Sequence, residues 1–274
     1  MVLRQSGWPL LCILVTSAAV HAAPCALHVA AALDAGAVYV DRSFLTGAQL
    51  SDCQCAVLDL NVRCHSKAGE VGRAQDLRLD KQLRSTSILD LNSESVWPLI
   101  PAALLRTLNA IDVLRNDLAQ VTGRPLLGSI ELQLLAYSRG GHYARHVDDV
   151  PATVDGAAAE SCMRSVSMLL YLTSDDWYEA DGGQLRIHAP CSREATIHEY
   201  IESSRHSAEQ QAGPLSASDP RISRSDTALD ILPTGGTLVV FDSTTVPHEV
   251  LPTNRARSVL AAWLLQKREA PGTT

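Results

Sequence analysis

The stretch Ser129-Ile130-Glu131-Leu132-Gln133-Leu134 alternates apolar and polar residues one for one, the signature of a strand with one face turned to a core. Immediately before it the period is helical. Pro101 opens a segment in which Leu104, Leu108, Ile111, Leu114 and Leu118 recur three or four residues apart, and Gly123 and Pro125 close it. That spacing predicts an amphipathic helix with a marked start and stop. Beyond residue 134, short runs rich in strand formers follow at 165–173, 183–188, 229–232, 237–241 and 258–265, with turn signals at Gly182-Gly183 and Gly235-Gly236. Many short strands after a helical lead predict an α+β, mainly β chain: a double-stranded β-helix (jelly-roll, cupin-like) core backed by N-terminal helices.

The lead contains further elements. Residues 26–33 read as a short helix broken at 34–36, and 37–40 as a strand. Thr46 with Gln49 three positions on forms a capping box that opens a helix running to about residue 60. Residues 66–84 are polar and read as loop. Residues 190–227 carry Ser, Arg, Glu, Gln and Pro without a sustained period and read as a long, flexible surface insertion. The organisation expected is therefore a helical N-terminal part over 24–128 and a core over 129–267, together one catalytic domain, with no internal repeat.

Composition narrows the function. With 274 residues, 46% of them hydrophobic, the chain can bury one substantial core. A net charge of -7, a pI near 5.7 and the lack of any Lys/Arg block argue against nucleic acid as a partner. Neither a phosphate-binding Gly-Lys loop nor a nucleophile elbow occurs. Residues 1–23 carry Arg4, an apolar run over 9–20 and Val20-His21-Ala22, and the first acidic residue is Asp34. These are the parts of a secretory signal, too short to anchor as a membrane span; the alternative is an apolar helix packed on a protein of cytoplasm or nucleus. No later stretch is long and apolar enough to span a membrane, so no stable membrane span is expected. Loss of the leader would leave six of the seven cysteines, an even number open either to bridges or to reduced, buried thiols. The Cys53-Gln54-Cys55 pair has no partner pair at zinc spacing.

Chemistry concentrates in the run Tyr137-Ser138-Arg139-Gly140-Gly141-His142-Tyr143-Ala144-Arg145-His146-Val147-Asp148. With 9 His and 19 Asp in the chain, roughly 0.6 His-x-Asp triplets arise by chance, so the context of the triplet has to decide. At a strand's end, His146 and Asp148 share a face. His248, in the Pro247-His248-Glu249-Val250-Leu251-Pro252 loop after the apolar run 237–241, can join them from a distant strand. Two imidazoles and one carboxylate form a facial triad suited to non-haem Fe(II), with coordination positions left open for a co-substrate and O2.

These residues carry a resemblance. From Ala37 onward the chain resembles the 2-oxoglutarate- and Fe(II)-dependent prolyl 4-hydroxylase family, most of all the oxygen-sensing Egl-nine (hypoxia-inducible factor) branch. The likeness rests on the run from Tyr137 to Asp148, on Arg164 through Tyr171 with Trp177, on Gly182-Gly183-Gln184-Leu185-Arg186-Ile187, and on Pro247 to Pro252 with Arg257 and Trp263. It implies Fe(II) on His146, Asp148 and His248, and 2-oxoglutarate with its distal carboxylate on Arg257, near Tyr137 and Tyr171. It also implies O2 as oxidant, L-ascorbate as reductant, succinate and CO2 as co-products, and a proline-containing protein or peptide as substrate.

Alternatives stand beside several of these assignments. Arg255 would share a strand face with Arg257 and is the second candidate for the carboxylate. The two tyrosines could be core residues with their hydroxyls satisfied elsewhere. Tyr143 and Arg145 flank the metal pair, and Arg164 and Trp177 fit strand-end packing as well as target docking. Asp149 points away, and His142, His188, His198 and His206 read as surface or loop residues. The carboxylate of Asp148 argues for hydroxylation over halogenation, a chemistry that leaves its position vacant. The segment from Tyr137 to His146 is one residue shorter than in the oxygen-sensing branch and the insertion after residue 190 is longer, so the target does not carry over. Rival readings keep the cofactors but act on another side chain or a small molecule, or retain a non-catalytic metal-binding module.

Overall fold

The structure, a computed structural model, describes residues 26–71, 77–149, 151–154, 157–188, 222–225 and 228–267. The helical lead folds as its periodicity requires. Helix α1 (Ala26–Asp34) leads into strand β1 (Tyr39–Asp41), and α2 (Gly47–Arg63) starts at Thr46, where Gln49 Oε1 accepts hydrogen bonds from the Thr46 N–H and hydroxyl, both at 2.9 Å. Helix α3 (Ala102–Thr122) buries Leu104, Leu108, Ile111, Leu114 and Leu118 on one stripe, each such side chain contributing about 1.5–3 kcal/mol. It stops at Gly123, whose φ of 65° closes the last turn in the left-handed region.

The lead is not only helical. Between α2 and α3 lie β2 (Lys67–Ala68), β3 (Arg84–Ser85) and β4 (Ser87–Asp90). These strands are too short for a period to show in the sequence, and they form because longer strands offer them open edges. Strand β5 (Leu126–Tyr137) pairs β4 in antiparallel register, with Leu134 opposite Leu89. Strand β6 (His142–His146) pairs β3, with Tyr143 opposite Arg84.

The remaining strands are β7 (Pro151–Val154), β8 (Ala157–Tyr171), β9 (Leu185–His188), β10 (Ile222–Ser225), β11 (Ala228–Ile231), β12 (Leu238–Asp242), β13 (His248–Val250) and β14 (Arg257–Lys267). They assemble into two antiparallel sheets. The larger runs β1-β12-β8-β14-β5-β4-β2, with β7 on β8; the smaller runs β10-β11-β9-β13-β6-β3. The two sheets wrap an apolar interior that includes Leu169, Tyr171, Leu185, Ile231, Phe241 and Val259, and the helices cover the outer face of the larger sheet in a second core. The fold is a double-stranded β-helix backed by helices.

Two expectations change. Glu131 was expected on the watered face of a half-buried strand, yet it is 5% exposed. Ile130, Leu132 and Leu134 face the helices while Leu135 and Tyr137 face the space between the sheets, so both faces of β5 are covered. The expected insertion over 190–227 also ends earlier than its composition suggests. Ile222–Ser225 forms β10, in register with β11 from Ile222 opposite Ile231 to Ser225 opposite Ala228; residues 190–221 lie outside the described residues, as do 1–23. No described helix is long and apolar enough to cross a membrane.

Candidate active site

Strand pairing brings the two histidines together. His146 is the last residue of β6 and His248 the first of β13, and in the ladder between these strands they stand directly opposite one another. Their ring centroids are 4.2 Å apart. Each ring places Nδ1 against the carbonyl two residues earlier, His146 on Ala144 at 2.8 Å and His248 on Val246 at 3.0 Å. An Nδ1–H donated to a carbonyl leaves Nε2 with its lone pair, the tautomer a metal requires.

Asp148 lies just past the end of β6, and its carboxylate returns to the same point. Oδ1 is 3.5 Å from His146 Nε2 and Oδ2 is 3.8 Å from His248 Nε2. One ligand atom from each of the three residues lies within 4.8 Å of the others, and among the described residues this is the one group of three or more such side chains that could hold a metal ion. Tyr143 stacks on His146 at 3.6 Å, Phe241 meets His248 edge-on at 4.7 Å, and the Arg84 guanidinium lies 4.4 Å from the Tyr143 ring. These contacts fix the orientation of the two imidazole rings.

Charge follows from burial. Loss of solvent, reinforced by His146, holds His248 at a pKa of about 4 against an ordinary 6.5, although Asp148 pulls the other way. Burial works against the Asp148 carboxylate, but His248, His146 and Arg164 together hold it well below the usual carboxylate range. At neutral pH the site presents His248 as a neutral imidazole beside an ionised carboxylate, the state in which such groups ligate a metal.

The second half of the site is Arg257. It opens β14 opposite Tyr137, the last residue of β5. Its guanidinium carbon lies 4.8 Å from the Tyr137 ring and 5.1 Å from the Tyr171 ring. Arg257 is 1% exposed, and its Nε and Nη2 are buried with no hydrogen-bond partner. The Tyr171 hydroxyl has no partner within hydrogen-bond distance, and burial pushes its pKa up to about 12, although the Arg257 guanidinium is near enough to pull it down by charge and a long hydrogen bond. A buried cation without a counter-charge costs several kcal/mol. These orphaned donors fit a small carboxylate, which a guanidinium fork binds through two parallel hydrogen bonds.

Arg255, the other candidate, is occupied elsewhere. It pairs with Asp176 and Asp181, each at 3.0 Å, and its guanidinium carbon sits 5.0 Å from the Trp177 ring. The shared strand face fails because β14 begins only at Arg257; Arg255 lies in the preceding turn, where alternation does not apply. Arg164, for which strand-end packing and target docking were both open, forms a two-point ion pair with Glu131 and lies 3.7 Å over the Trp263 ring. Trp177 is a packing residue whose Nε1 donates to Gly182 O at 2.9 Å, while Arg145 and Asp149 are exposed. His142 binds the carbonyls of Gly140 and Gln82, and His188 pairs with Glu249, both apart from the triad; His198 and His206 lie outside the described residues. The thiols of Cys53, Cys55 and Cys64 are free, so none of these three is in a bridge.

Sequence reasoning missed Ser167, which donates to Asp148 Oδ2 at 2.7 Å, and did not see that Trp263 Nε1 donates to the same oxygen at 2.9 Å. One signal was available. Ser167 is a polar residue inside the run Val166-Ser167-Met168-Leu169-Leu170, and a buried hydroxyl needs a partner.

Two imidazoles and a carboxylate between the sheets of a double-stranded β-helix are a ligand set suited to a transition metal, and the buried arginine facing the same interior is a donor suited to a carboxylate. In the comparison with protein families, residues 132–265 match the 2OG-Fe(II) oxygenase superfamily. Among solved structures, the chain is similar to a Pseudomonas putida prolyl-4-hydroxylase, at 23% identity and TM-score 0.60, over 89% of this chain and 100% of that one. It is similar to a Trichoplax adhaerens prolyl hydroxylase in complex with a hypoxia inducible factor peptide fragment, at 17% identity and TM-score 0.62, over 87% and 88%. The fold is also shared with SnoN, a non-heme alpha ketoglutarate dependent epimerase of nogalamycin biosynthesis, at 13% identity and TM-score 0.51, over 91% and 90%.

Proposed function

We propose that the protein is a peptidyl-proline hydroxylase that uses Fe(II), 2-oxoglutarate and O2 and forms succinate and CO2. His146 and His248 through Nε2, and Asp148 through its carboxylate, hold the metal. Arg257 takes the distal carboxylate of 2-oxoglutarate, with the Tyr171 hydroxyl as a further donor and Tyr137 packed against the guanidinium. Bound Fe(II) supplies the redox chemistry that couples decarboxylation of 2-oxoglutarate by O2 to insertion of one oxygen atom into a C–H bond. The chain's own part is to bind, orient and keep water from the reacting atoms.

The observation that carries the oxygenase reading is the pairing of a ready ligand triad with the unpartnered Nε and Nη2 of Arg257. A metal-binding module with no co-substrate has no use for a buried, unmatched guanidinium. The prolyl substrate is supported by the resemblance of the site motifs and by two similar structures that are prolyl hydroxylases, one of them with a peptide. A second reading, the same cofactors acting on a small molecule, is supported by the fold shared with SnoN. L-Ascorbate belongs to the proposal as the reductant that restores iron. So does passage of the chain through the secretory pathway by way of residues 1–23, which N-terminal sequencing of the mature protein tests.

Purified protein given Fe(II), 2-oxoglutarate and O2 is expected to release succinate slowly even without target. Iron binding without succinate would remove the oxygenase reading. Mass spectrometry of proteins exposed to the active enzyme or to its His146→Ala variant then decides the substrate. A gain of one oxygen on prolyl peptides supports the proposal, and a gain confined to other residues or to small molecules replaces it.

A further inference from the structure

Of the two Asp148 oxygens, Oδ1 lies 3.5 Å from His146 Nε2, while Oδ2, on the His248 side at 3.8 Å from its Nε2, already has two protein donors. Oδ2 accepts from the Ser167 hydroxyl at 2.7 Å and from Trp263 Nε1 at 2.9 Å. An indole has one N–H and a serine one O–H, so both donors spend their only proton here. Ser243 Oγ lies 2.8 Å from Ser167 Oγ. With the Ser167 proton given to Asp148, Ser243 must be the donor of that pair, and the chain of hydroxyls points toward the carboxylate.

The indole is itself braced. The Arg164 guanidinium lies over its ring at 3.7 Å, and Glu131 holds that guanidinium through Nε at 2.9 Å and through Nη2. Arg164 reaches this place because of a register shift: Leu264 pairs with Val166 and Leu265 with Arg164, leaving Ser165 as an extra residue on β8. A bulge of one residue reverses which face the next side chain takes. Ser167 at 0% and Trp263 and Glu131 each at 5% exposure are enclosed, and the Arg164 side chain is 12% exposed.

We propose that Trp263 and Ser167 are positioning residues that make Asp148 a one-oxygen ligand, leaving only Oδ1 for the metal, with the Glu131–Arg164 pair as the brace for the indole. This rests on the reading of His146, Asp148 and His248 as a metal site. The reason for such a device is the number of coordination positions. A metal held by the three side chains would need its open positions for the co-substrate and O2, so the carboxylate would have to contribute a single oxygen. Freed of its two donors, Oδ2 would compete for a position that the co-substrate needs.

The test uses the full chain with Co(II) as probe, read by its visible absorption, which reports coordination number, together with calorimetric titration of 2-oxoglutarate. Trp263→Phe and Ser167→Ala are expected to keep Co(II), change its absorption and weaken 2-oxoglutarate binding about tenfold, in keeping with the loss of one hydrogen bond to a charged group. Ser167→Thr, which retains the hydroxyl, is expected to restore the wild-type spectrum. Should Trp263→Phe fail to fold, the two Ser167 variants decide. A wild-type spectrum and wild-type 2-oxoglutarate affinity in Ser167→Ala would overturn the inference, as would loss of Co(II) from that variant with no recovery in Ser167→Thr. Wild-type protein that binds no Co(II) would instead overturn the metal site itself.

Discussion

Replacing Arg257 by Leu separates binding from folding, because the structure leaves the Nε and Nη2 of its guanidinium without a partner. Two effects oppose each other in metal-free, co-substrate-free protein. Leucine forfeits the cation–π contacts with Tyr137 and Tyr171, each about 0.5–2 kcal/mol. It also removes a buried charge whose Nε and Nη2 are unpaired, a liability of about 3–5 kcal/mol. The two contacts together come to about 1–4 kcal/mol against about 3–5 kcal/mol, so the terms largely offset and the unliganded variant should unfold close to the wild-type temperature or above it. Binding moves the other way. Losing a buried two-point contact to a carboxylate costs about 3–5 kcal/mol, or two to three and a half decades in affinity. The assay is thermal unfolding of the metal-loaded protein with and without 2-oxoglutarate. At about a hundred times its dissociation constant, 2-oxoglutarate stabilises wild type by about 2.7 kcal/mol, some 5–10 °C for a chain of this size, and it should leave Arg257→Leu unmoved. A full 2-oxoglutarate shift in Arg257→Leu would refute the assignment, and an unliganded variant melting far below wild type would make Arg257 a structural residue.

Gly183 has a φ of 72°, and a Cβ there would lie 3.0 Å from Thr253 and 3.2 Å from Arg257 Cδ; Gly183→Ala should cost about 1–3 kcal/mol in urea unfolding and raise the KM for 2-oxoglutarate with a smaller change in kcat. Metal-free protein should lose stability as pH falls from about 6.5 toward 4, because folding keeps His248 neutral at about 4 while the unfolded chain takes up a proton at its ordinary 6.5, a difference of roughly 3 kcal/mol at most. Urea midpoints measured across that range should show the slope in wild type and a shallower one in His248→Gln; parallel curves would contradict it. Gly123→Ala places a side chain at a φ of 65° with no atom nearby to clash, so the expected loss is only the conformational term of about 1 kcal/mol, with activity unchanged.

Local periodicity made part of this molecule legible. The stripe from Leu104 to Leu118, the cap at Thr46 and Gln49, the stop at Gly123 and the strands beyond residue 129 are each set by neighbours a few positions away, and each forms where the spacing places it. The same holds for His146 and Asp148, two positions apart, and His248 was legible as a third ligand from the loop after an apolar strand, while Arg257 was legible only through the resemblance its motif carries. Short strands such as Ser87–Asp90 were not legible, because four residues hold no period and form only against the edge of β5.

Tertiary structure decided the remainder. Pairing of β6 with β13 sets His146 opposite His248 across about a hundred residues of chain, and no local pattern encodes which strands pair. The start of β14 at Arg257 separates it from Arg255, and one extra residue at Ser165 turns Arg164 inward to meet Glu131 and Trp263. Sequence by itself determined the element types and the residues fit to hold a metal. Partner strands and register, set by contacts between residues distant in sequence, determined which of those residues meet and which oxygen of Asp148 is left to act.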